Sequence, residues 1–354
     1  MYRQIQRHHS VLFSSMTSIR LHRSWTHRMN FLGVIFVGMI LLEAFLALAS
    51  PSAAHPVVES QGQVAETKVK LGLNWKPEPQ FGGFYAAQVH GLDREAKIKL
   101  EIAPGGSGTP TIQMLATKKL DYAIASADEV VMARARGVDV LALMAVYQTN
   151  PQGIMVHAER GFKSLDDVFR SEGTLALQKG LPYAQYLMAK HGQGAKVSIV
   201  PYVGGISNFA LDGRHSQQCF VTSEPLLAAQ QKLKTKVFLV ADSGYNPYTT
   251  VLVTRGDVWK SQADQVRRVR ELFRKGWEQY LRDASATDRR MAELNPSMDP
   301  QTFKASGEAQ RRLIETPNGI GHMEIGRWRE LSRQLRELKL IDREVKAEEL
   351  LPGL

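Results

Sequence analysis

The sequence predicts an α/β protein of two lobes, with doubly wound sheets and a helical C-terminal tail. Three observations predict it. Between residues 69 and 240, short apolar runs of strand length alternate with segments of helical periodicity. The turn Asn150-Pro151-Gln152-Gly153 divides that alternation into two series of similar size, and from Ser261 onward the pattern is helical throughout.

In the first series, 69–74 alternates as a strand, 81–90 reads as a helix closed by Gly91, and 98–103 is a second strand. Gly105-Gly106-Ser107-Gly108 then turns into a helix with Thr109 as N-cap and Pro110 at its first position. A third strand at 122–125 is followed by Ser126-Ala127-Asp128-Glu129, whose spacing forms a capping box, and Gly137 stops that helix. Residues 140–147 are continuously apolar, the pattern of a parallel strand covered on both faces. The second series runs through a strand at 154–157, a short helix capped by Ser164, a strand at 174–177 and a helix at 182–190 ended by Gly192. Alternation continues at 197–201, 206–211, 219–222, 225–233 and 236–240, and 249–254 is a strand. Helices are expected near 262–282, 287–294, 300–314 and 322–338. The expected division is lobe one at 67–150, lobe two at 151–245, and a return to lobe one with the C-terminal helices at 246–354. Crossovers near 150 and 245 would then form a hinge beside a ligand cleft.

The chain has 354 residues, 45 Lys+Arg against 35 Asp+Glu, 44% hydrophobic residues and one Cys. It is too apolar for a disordered chain and too poor in Cys for a disulfide scaffold or a Cys-based zinc site. Residues 1–30 hold Arg3, Arg7, Arg20, Arg23 and Arg28 without an acid and lead into an apolar run at 31–42. Twelve helical residues rise about 18 Å, short of the roughly 30 Å of a hydrocarbon core. A cleaved signal peptide at 1–54 is therefore expected, with small residues at Ala47 and Ala49, or at Ser52 and Ala54, as candidate cleavage sites and a polar tail at 55–66. The alternative keeps 31–49 as an uncleaved anchor. No lipid-acceptor Cys follows the apolar run, since Cys219 is the chain's one cysteine.

Four blocks carry a resemblance: Leu71-Gly72-Leu73-Asn74-Trp75, Phe81-Gly82-Gly83-Phe84-Tyr85-Ala86-Ala87-Gln88, Pro104-Gly105-Gly106-Ser107-Gly108, and 121–129 from Asp121 to Glu129. In this order and spacing they resemble the thiamine-pyrimidine-synthase-like (SsuA/THI5-like) periplasmic solute-binding proteins, with a weaker echo at Arg327-Trp328. The resemblance implies a type II periplasmic-binding fold whose lobes close on a small molecule. It also implies an ABC-importer permease as partner, no cofactor, a periplasmic location and a monomer. Ligands of the group include aminopyrimidine thiamine precursors, alkanesulfonates and nitrate.

The chemistry of these blocks agrees with binding. In doubly wound sheets ligands sit at the carboxyl ends of strands, where helix N-termini present unpaired N–H groups. Asn74 and Trp75 end strand one, Gly106 and Ser107 follow strand two, and Ser126 and Asp128 follow strand three. Trp75, Phe84, Tyr85, Tyr147, Tyr183 and Tyr248 offer flat faces for a ring, and Asp128 and Glu224 offer acceptors for exocyclic amines. An aminopyrimidine or related heteroaromatic fits that inventory, while a sulfonate or nitrate would use the same helix ends. Plainer readings stand beside these. Ser126 and Glu129 tie down a helix start, Asp128 and Glu224 are first-turn acids favoured by the dipole, and Tyr147 and Tyr248 pack near the hinge.

Enzyme readings find less support. The sequence has no Gly-x-Ser-x-Gly, His-Glu-x-x-His, phosphate-loop or dinucleotide motif, and its His residues after the leader lack metal-ligand spacing. The fungal pyrimidine synthases that share the fold carry a Cys-rich iron motif, which one Cys cannot supply. Arg267-Arg268-Val269-Arg270 lies in an amphipathic pattern, the solvated face of a helix and not a nucleic-acid patch. A same-fold enzyme and a membrane-anchored ligand sensor remain the alternatives. We expect mass spectrometry of the secreted chain to place its N-terminus near His55; full-length chain recovered from the cytoplasm would contradict export.

Overall fold

The computed structural model describes residues 66–353. The expected signal peptide at 1–54, the alternative anchor at 31–49 and the tail up to residue 65 lie outside the described residues. The first elements are β1 (Thr67–Gly72), α1 (Gly82–Val89), α2 (Leu92–Glu95), β2 (Ile98–Ala103), α3 (Thr111–Ala116), β3 (Tyr122–Ala125), α4 (Ala127–Ala135) and β4 (Val140–Tyr147). A second group comprises β5 (Gln152–His157), α5 (Leu165–Arg170), β6 (Thr174–Leu177), α6 (Pro182–His191), β7 (Ser198–Pro201), α7 (Ser207–Leu211), β8 (His215–Phe220), α8 (Glu224–Gln230) and β9 (Thr235–Leu239). The chain ends with β10 (Thr249–Arg255), α9 (Gly256–Arg282), α10 (Ser285–Leu294), α11 (Pro300–Ile314), α12 (Ile325–Glu337) and α13 (Ala347–Leu350). Among the described residues no helix is long and apolar enough to cross a membrane.

Two five-stranded sheets form, ordered β2-β1-β3-β10-β4 and β7-β6-β8-β5-β9. Each has three parallel strands followed by an antiparallel one, β10 in the first and β5 in the second. Both antiparallel strands follow a crossing between the sheets, because a chain that arrives from the other sheet enters from the opposite end. The apolar run of β4 does not sit among parallel neighbours as its pattern predicted. It is an edge strand paired antiparallel with β10, and all eight of its residues are buried. Helices supply the cover: Val140, Ala142 and Ala145 pack with Val130 and Leu350, while Leu143, Val146 and Tyr147 pack with Phe273 and Leu313.

The helical tail completes the first sheet's core. Along α9, Val266, Val269, Phe273, Gly276, Trp277 and Tyr280 recur at helical spacing and are all buried. Glycines let α9 approach α1 closely. A Cβ on Gly276 would lie 2.2 Å from the Gly83 carbonyl oxygen, and a Cβ on Gly83 would lie 2.1 Å from the Trp277 ring. The rings of Phe273 and Trp277 then meet Phe84 edge-on at centroid distances of 5.0 and 5.8 Å.

Two segments cross between the sheets, one from Gln148 to Pro151 and the other between Val240 and Tyr248. The Asn150 amide N–H donates to Asn246 Oδ1 (2.9 Å), and its side-chain amide donates to the Pro247 carbonyl (3.0 Å). Arg327 donates to the Gln148 carbonyl at 2.8 Å and to the Asn246 carbonyl at 2.7 Å, joining one crossing to the other. We expect Gly276→Ala to lose about 1–3 kcal/mol of stability in urea titrations, because the α1–α9 contact has no room for a methyl group. Gly180→Ala, whose Cβ would meet nothing within 4 Å, should change it by less than about 0.5 kcal/mol.

Candidate functional site in the cleft between the sheets

Past β1 the chain continues pairing through Leu73, whose N–H donates to the Ala103 carbonyl at 2.9 Å, and reaches Asn74 and Trp75. The Trp75 carbonyl accepts the Gly105 N–H at 3.0 Å. Only glycine fits at 105, where a Cβ would lie 2.1 Å from the Leu73 oxygen. Trp75 is 37% exposed, and its indole N–H donates to Glu78 Oε1 at 3.1 Å. The loop is held from behind: Asn295 donates to the Pro77 carbonyl (3.0 Å) and Gln310 to the Pro79 carbonyl (2.9 Å). Gln310 Oε1 also accepts the Tyr147 hydroxyl at 2.6 Å. Tyr147 in turn meets Phe220 of the second sheet edge-on, with centroids 6.0 Å apart.

On the opposite wall Glu224 opens α8. Its Oε1 accepts the Tyr202 hydroxyl at 2.6 Å, and its Oε2 accepts the Phe220 N–H at 2.7 Å. Behind it, the Tyr183 hydroxyl and the Gln178 N–H both donate to Gln218 Oε1, at 2.8 and 2.7 Å. Burial raises the Glu224 carboxyl above the usual carboxylate range, opposed by the Tyr202 hydroxyl and the Phe220 N–H. Burial also raises Glu78, to about 7; the Trp75 hydrogen bond works against the shift and the charge of Glu224 adds to it. The Tyr183 and Tyr202 hydroxyls are pushed upward by burial and by Glu224, so both stay neutral donors.

Residues 78–286, more than half of the chain, match the NMT1/THI5 like family. The chain belongs to this family. No curated protein has a significant match to it. Among solved structures, the periplasmic aliphatic sulphonate binding protein SsuA from Escherichia coli is similar at a TM-score of 0.62 and 14% identity, over 81% of this chain and 92% of that one. The alkanesulfonate-binding protein SsuA from Xanthomonas axonopodis pv. citri, bound to MOPS, is similar at 0.58 and 13% identity over 80% and 97%. The desulfurization enzyme DSZB is similar at 0.55 and 13% identity over 80% and 97%. At such identities the likeness shows the fold, the type II periplasmic-binding architecture, and binding proteins and an enzyme share it.

This NMT1/THI5-like protein brings together part of the residue set its sequence nominates. Asn74, Trp75 and Gly106 lie along the two contacting loops of the first sheet, with Ser107 exposed beside them. Tyr147, Tyr183 and Glu224 border the cleft from behind, with both tyrosines almost fully buried. Five nominated residues are elsewhere. Phe84 and Tyr85 are not cleft faces, because the glycine contact with α9 turns α1 so that both rings enter the core. Tyr248 lies at the crossing, its ring 3.7 Å under the Arg327 guanidinium and its hydroxyl accepting the Glu324 N–H at 2.9 Å. Asp128 is 8% exposed and occupied by the protein itself: it accepts from the Ser126 hydroxyl, from the Glu129 N–H (2.9 Å) and from the Tyr245 hydroxyl (3.2 Å). Ser126 is the other half of the capping box, its N–H held by Glu129 at 2.8 Å. The Ala127 N–H donates to the Tyr248 carbonyl at 2.9 Å, so the α4 N-terminus is filled from within. Thr109 does not cap α3, which starts at Thr111; its hydroxyl accepts the Gly106 N–H at 2.8 Å and fixes the glycine turn instead.

Three residues were missed: Glu78, Tyr202 and Phe220. Glu78 sits in Lys76-Pro77-Glu78-Pro79, a run that reads as a solvated turn, and nothing local marks the indole bond. Among the described residues no cluster of three or more His, Cys, Asp or Glu side chains could hold a metal ion.

Burial raises the Asp128 carboxyl, so its charged form is disfavoured in the folded state. That penalty is absent below the unfolded value of about 3.9 and grows as pH rises through the raised folded value. We therefore expect Asp128→Asn to shift the melting temperature more favourably at pH 8 than at pH 4, measured by calorimetry. A shift independent of pH would show that burial does not raise the Asp128 carboxyl above its unfolded value.

Proposed function

We propose that this protein is the extracytoplasmic solute-binding subunit of an ABC importer, exported by its leader, that captures a small amino-substituted heteroaromatic such as an aminopyrimidine and delivers it to a permease as a monomer. The observation that carries this reading is an exposed indole, Trp75, on the loop after β1, together with an anchored acceptor, Glu224, at the start of α8. An indole offers a stacking face, and a carboxylate fixed by Tyr202 and the Phe220 N–H accepts from exocyclic amines. The type II binding fold and family membership support a binding role in general terms.

A sulfonate or nitrate ligand is the second reading, and two sulfonate-binding structural neighbours favour the sulfonate. The groups of this cleft favour it less. The α4 N-terminus accommodates Glu129, Asp128 and the Tyr248 carbonyl in place of an oxyanion, and the anchored acceptor, Glu224, is a carboxylate. For an enzyme, Cys219 would be the available nucleophile. It is buried and its thiol is pushed well up by burial and Glu224, which disfavours a thiolate. A membrane-anchored sensor would retain residues 31–49, which the mature N-terminus decides.

Stacking contributes about 0.5–1.5 kcal/mol beyond buried area, and a hydrogen bond to a charged group about 1.5–3. We expect Trp75→Ala and Glu224→Gln each to weaken calorimetric binding of 4-amino-2-methylpyrimidine by roughly one order of magnitude, with unchanged circular dichroism. Binding of taurine or nitrate without binding of the aminopyrimidine would replace this reading with the anion one.

A further inference from the structure

We propose that a cavity in the helical tail, apart from the cleft, is a second binding site, for an apolar molecule that carries one protonated amine, and that Asp288 of α10 receives the amine. The proposal goes beyond the reading of the cleft and does not depend on what the cleft binds.

The cavity lies between the end of α9, α10 and one face of α11, with a volume of about 610 Å³, within the range of small-molecule sites. Its apolar wall is formed by Leu281, Ala284, Ala292, Pro300 and Phe303, and no residue of the cleft loops lines it. On α11, Pro300, Phe303, Gly307 and Arg311 recur at helical spacing and turn toward it. Gly307 keeps the inner end open. Glycine is a poor helix former in the interior of a helix such as α11, and here a Cβ would lie 3.2 Å from the Tyr280 hydroxyl oxygen and 3.8 Å from Asp288 Oδ2. The missing side chain therefore leaves space beside the Asp288 carboxylate.

Asp288 sets the sign of the ligand because it is the one charged lining residue that is not exposed. At the exposed rim both signs occur, Arg282, Arg289 and Lys304 against Asp283, Glu293 and Glu308, where salt screens them. Arg311, also at the rim, is engaged by the Leu281 carbonyl and by Glu315 Oε1 at 2.6 Å. Asp288 Oδ1 accepts the Tyr280 hydroxyl at 2.7 Å. Among the described residues that hydroxyl is its one side-chain donor and no Lys or Arg pairs with it, so Oδ2 can still accept. Burial lifts the carboxyl to about 6, with Tyr280 opposing and Asp283 adding, so at pH 8 it is ionised. An ionised carboxylate drawn out of water with only a neutral donor is completed by a cation. A ligand ammonium donates to Oδ2 while the rest of the molecule covers the apolar wall. A neutral ligand leaves the charge unpaired, and an anionic one is repelled.

The test uses the intact protein at pH 8 and three probes of similar shape: cationic 2-phenylethylamine, neutral 2-phenylethanol and anionic 3-phenylpropionate. Isothermal calorimetry gives the affinities, and circular dichroism and melting temperature check the fold of each variant. For the wild type we expect the amine to bind at least about tenfold more tightly than the alcohol, and the acid more weakly than both. In Asp288→Asn, which keeps an acceptor for the Tyr280 hydroxyl, the preference for the amine should shrink to within about threefold. Gly307→Leu, which fills the space beside Asp288, should weaken the amine by about tenfold or more. Neither variant should change binding of 4-amino-2-methylpyrimidine, so the outcome here and the outcome for the cleft are read separately. Amine binding that survives both substitutions and is lost in Trp75→Ala would assign the amine to the cleft and overturn the second site. Equal binding of the alcohol, or tighter binding of the acid, would overturn the role of Asp288. No binding of any of the three probes to the wild type would overturn the proposal while leaving the reading of the cleft untouched.

Discussion

One guanidinium joins the two chain segments that cross between the sheets. Arg327 donates from one nitrogen to the Gln148 carbonyl and from another to the Asn246 carbonyl, and its plane covers the Tyr248 ring at 3.7 Å. A flat fork with several fixed donors can bridge two carbonyls on separate strands, which a lysine ammonium on a flexible stem does poorly. Asn150 adds two bonds across the same gap, and Trp328 packs near Tyr248 from the next position on α12. The sheets share no strand, so the placement of one cleft wall against the other depends on this junction.

From that junction the constraint passes to the cleft through α11. The Leu313 carbonyl near its end accepts the N–H groups of Gln148 and Thr149, at 2.8 and 3.1 Å. One turn earlier Gln310 holds both the Pro79 carbonyl and the Tyr147 hydroxyl, and at the helix start Thr302 accepts from Gln230 of α8 at 2.7 Å. A single rigid element thus contacts the crossing, the loop that carries Trp75 and Glu78, and the helix that Glu224 begins. Gln310 is fully buried, and such a group is retained in an apolar setting only when its donors and acceptors are satisfied, as both are here. Truncating it would strand the Tyr147 hydroxyl and release the loop at once.

Local signals in the sequence were readable where a single element decides the outcome. The capping box at Ser126, the cap at Ser164, the β4 run and the α9 stripe all formed, because each depends on residues a few positions apart. The α/β alternation likewise yielded the fold class. Errors arose where a distant partner chooses the face. Phe84 and Tyr85 lie one turn beyond the cleft loop and looked available to it, but Gly83 and Gly276 seat α1 against α9 and turn both rings inward. Asp128 occupies the expected strand end, yet Tyr245 and the capping box consume its acceptors. Glu78 was unreadable for the converse reason, since a glutamate between two prolines signals only a polar turn until the Trp75 indole is placed on it.

The charge of the whole chain misleads about the cleft in the same way. A formal charge of +10 over 354 residues favours anionic partners if charge is averaged over the surface. Residues 1–54 hold five Arg against one Glu, and exposed arginines of the tail are paired along their own helices, as Arg274 is with Glu271 and Glu278 and Arg333 with Glu330 and Glu337. Screening at physiological salt limits exposed charges to about 8 Å, whereas groups inside a cleft are screened far less. Glu78, bonded to the Trp75 indole, and Glu224, bonded to Tyr202, are acidic groups of this kind. Net charge therefore carries little information about the sign of a ligand, which depends on the side chains that line its site.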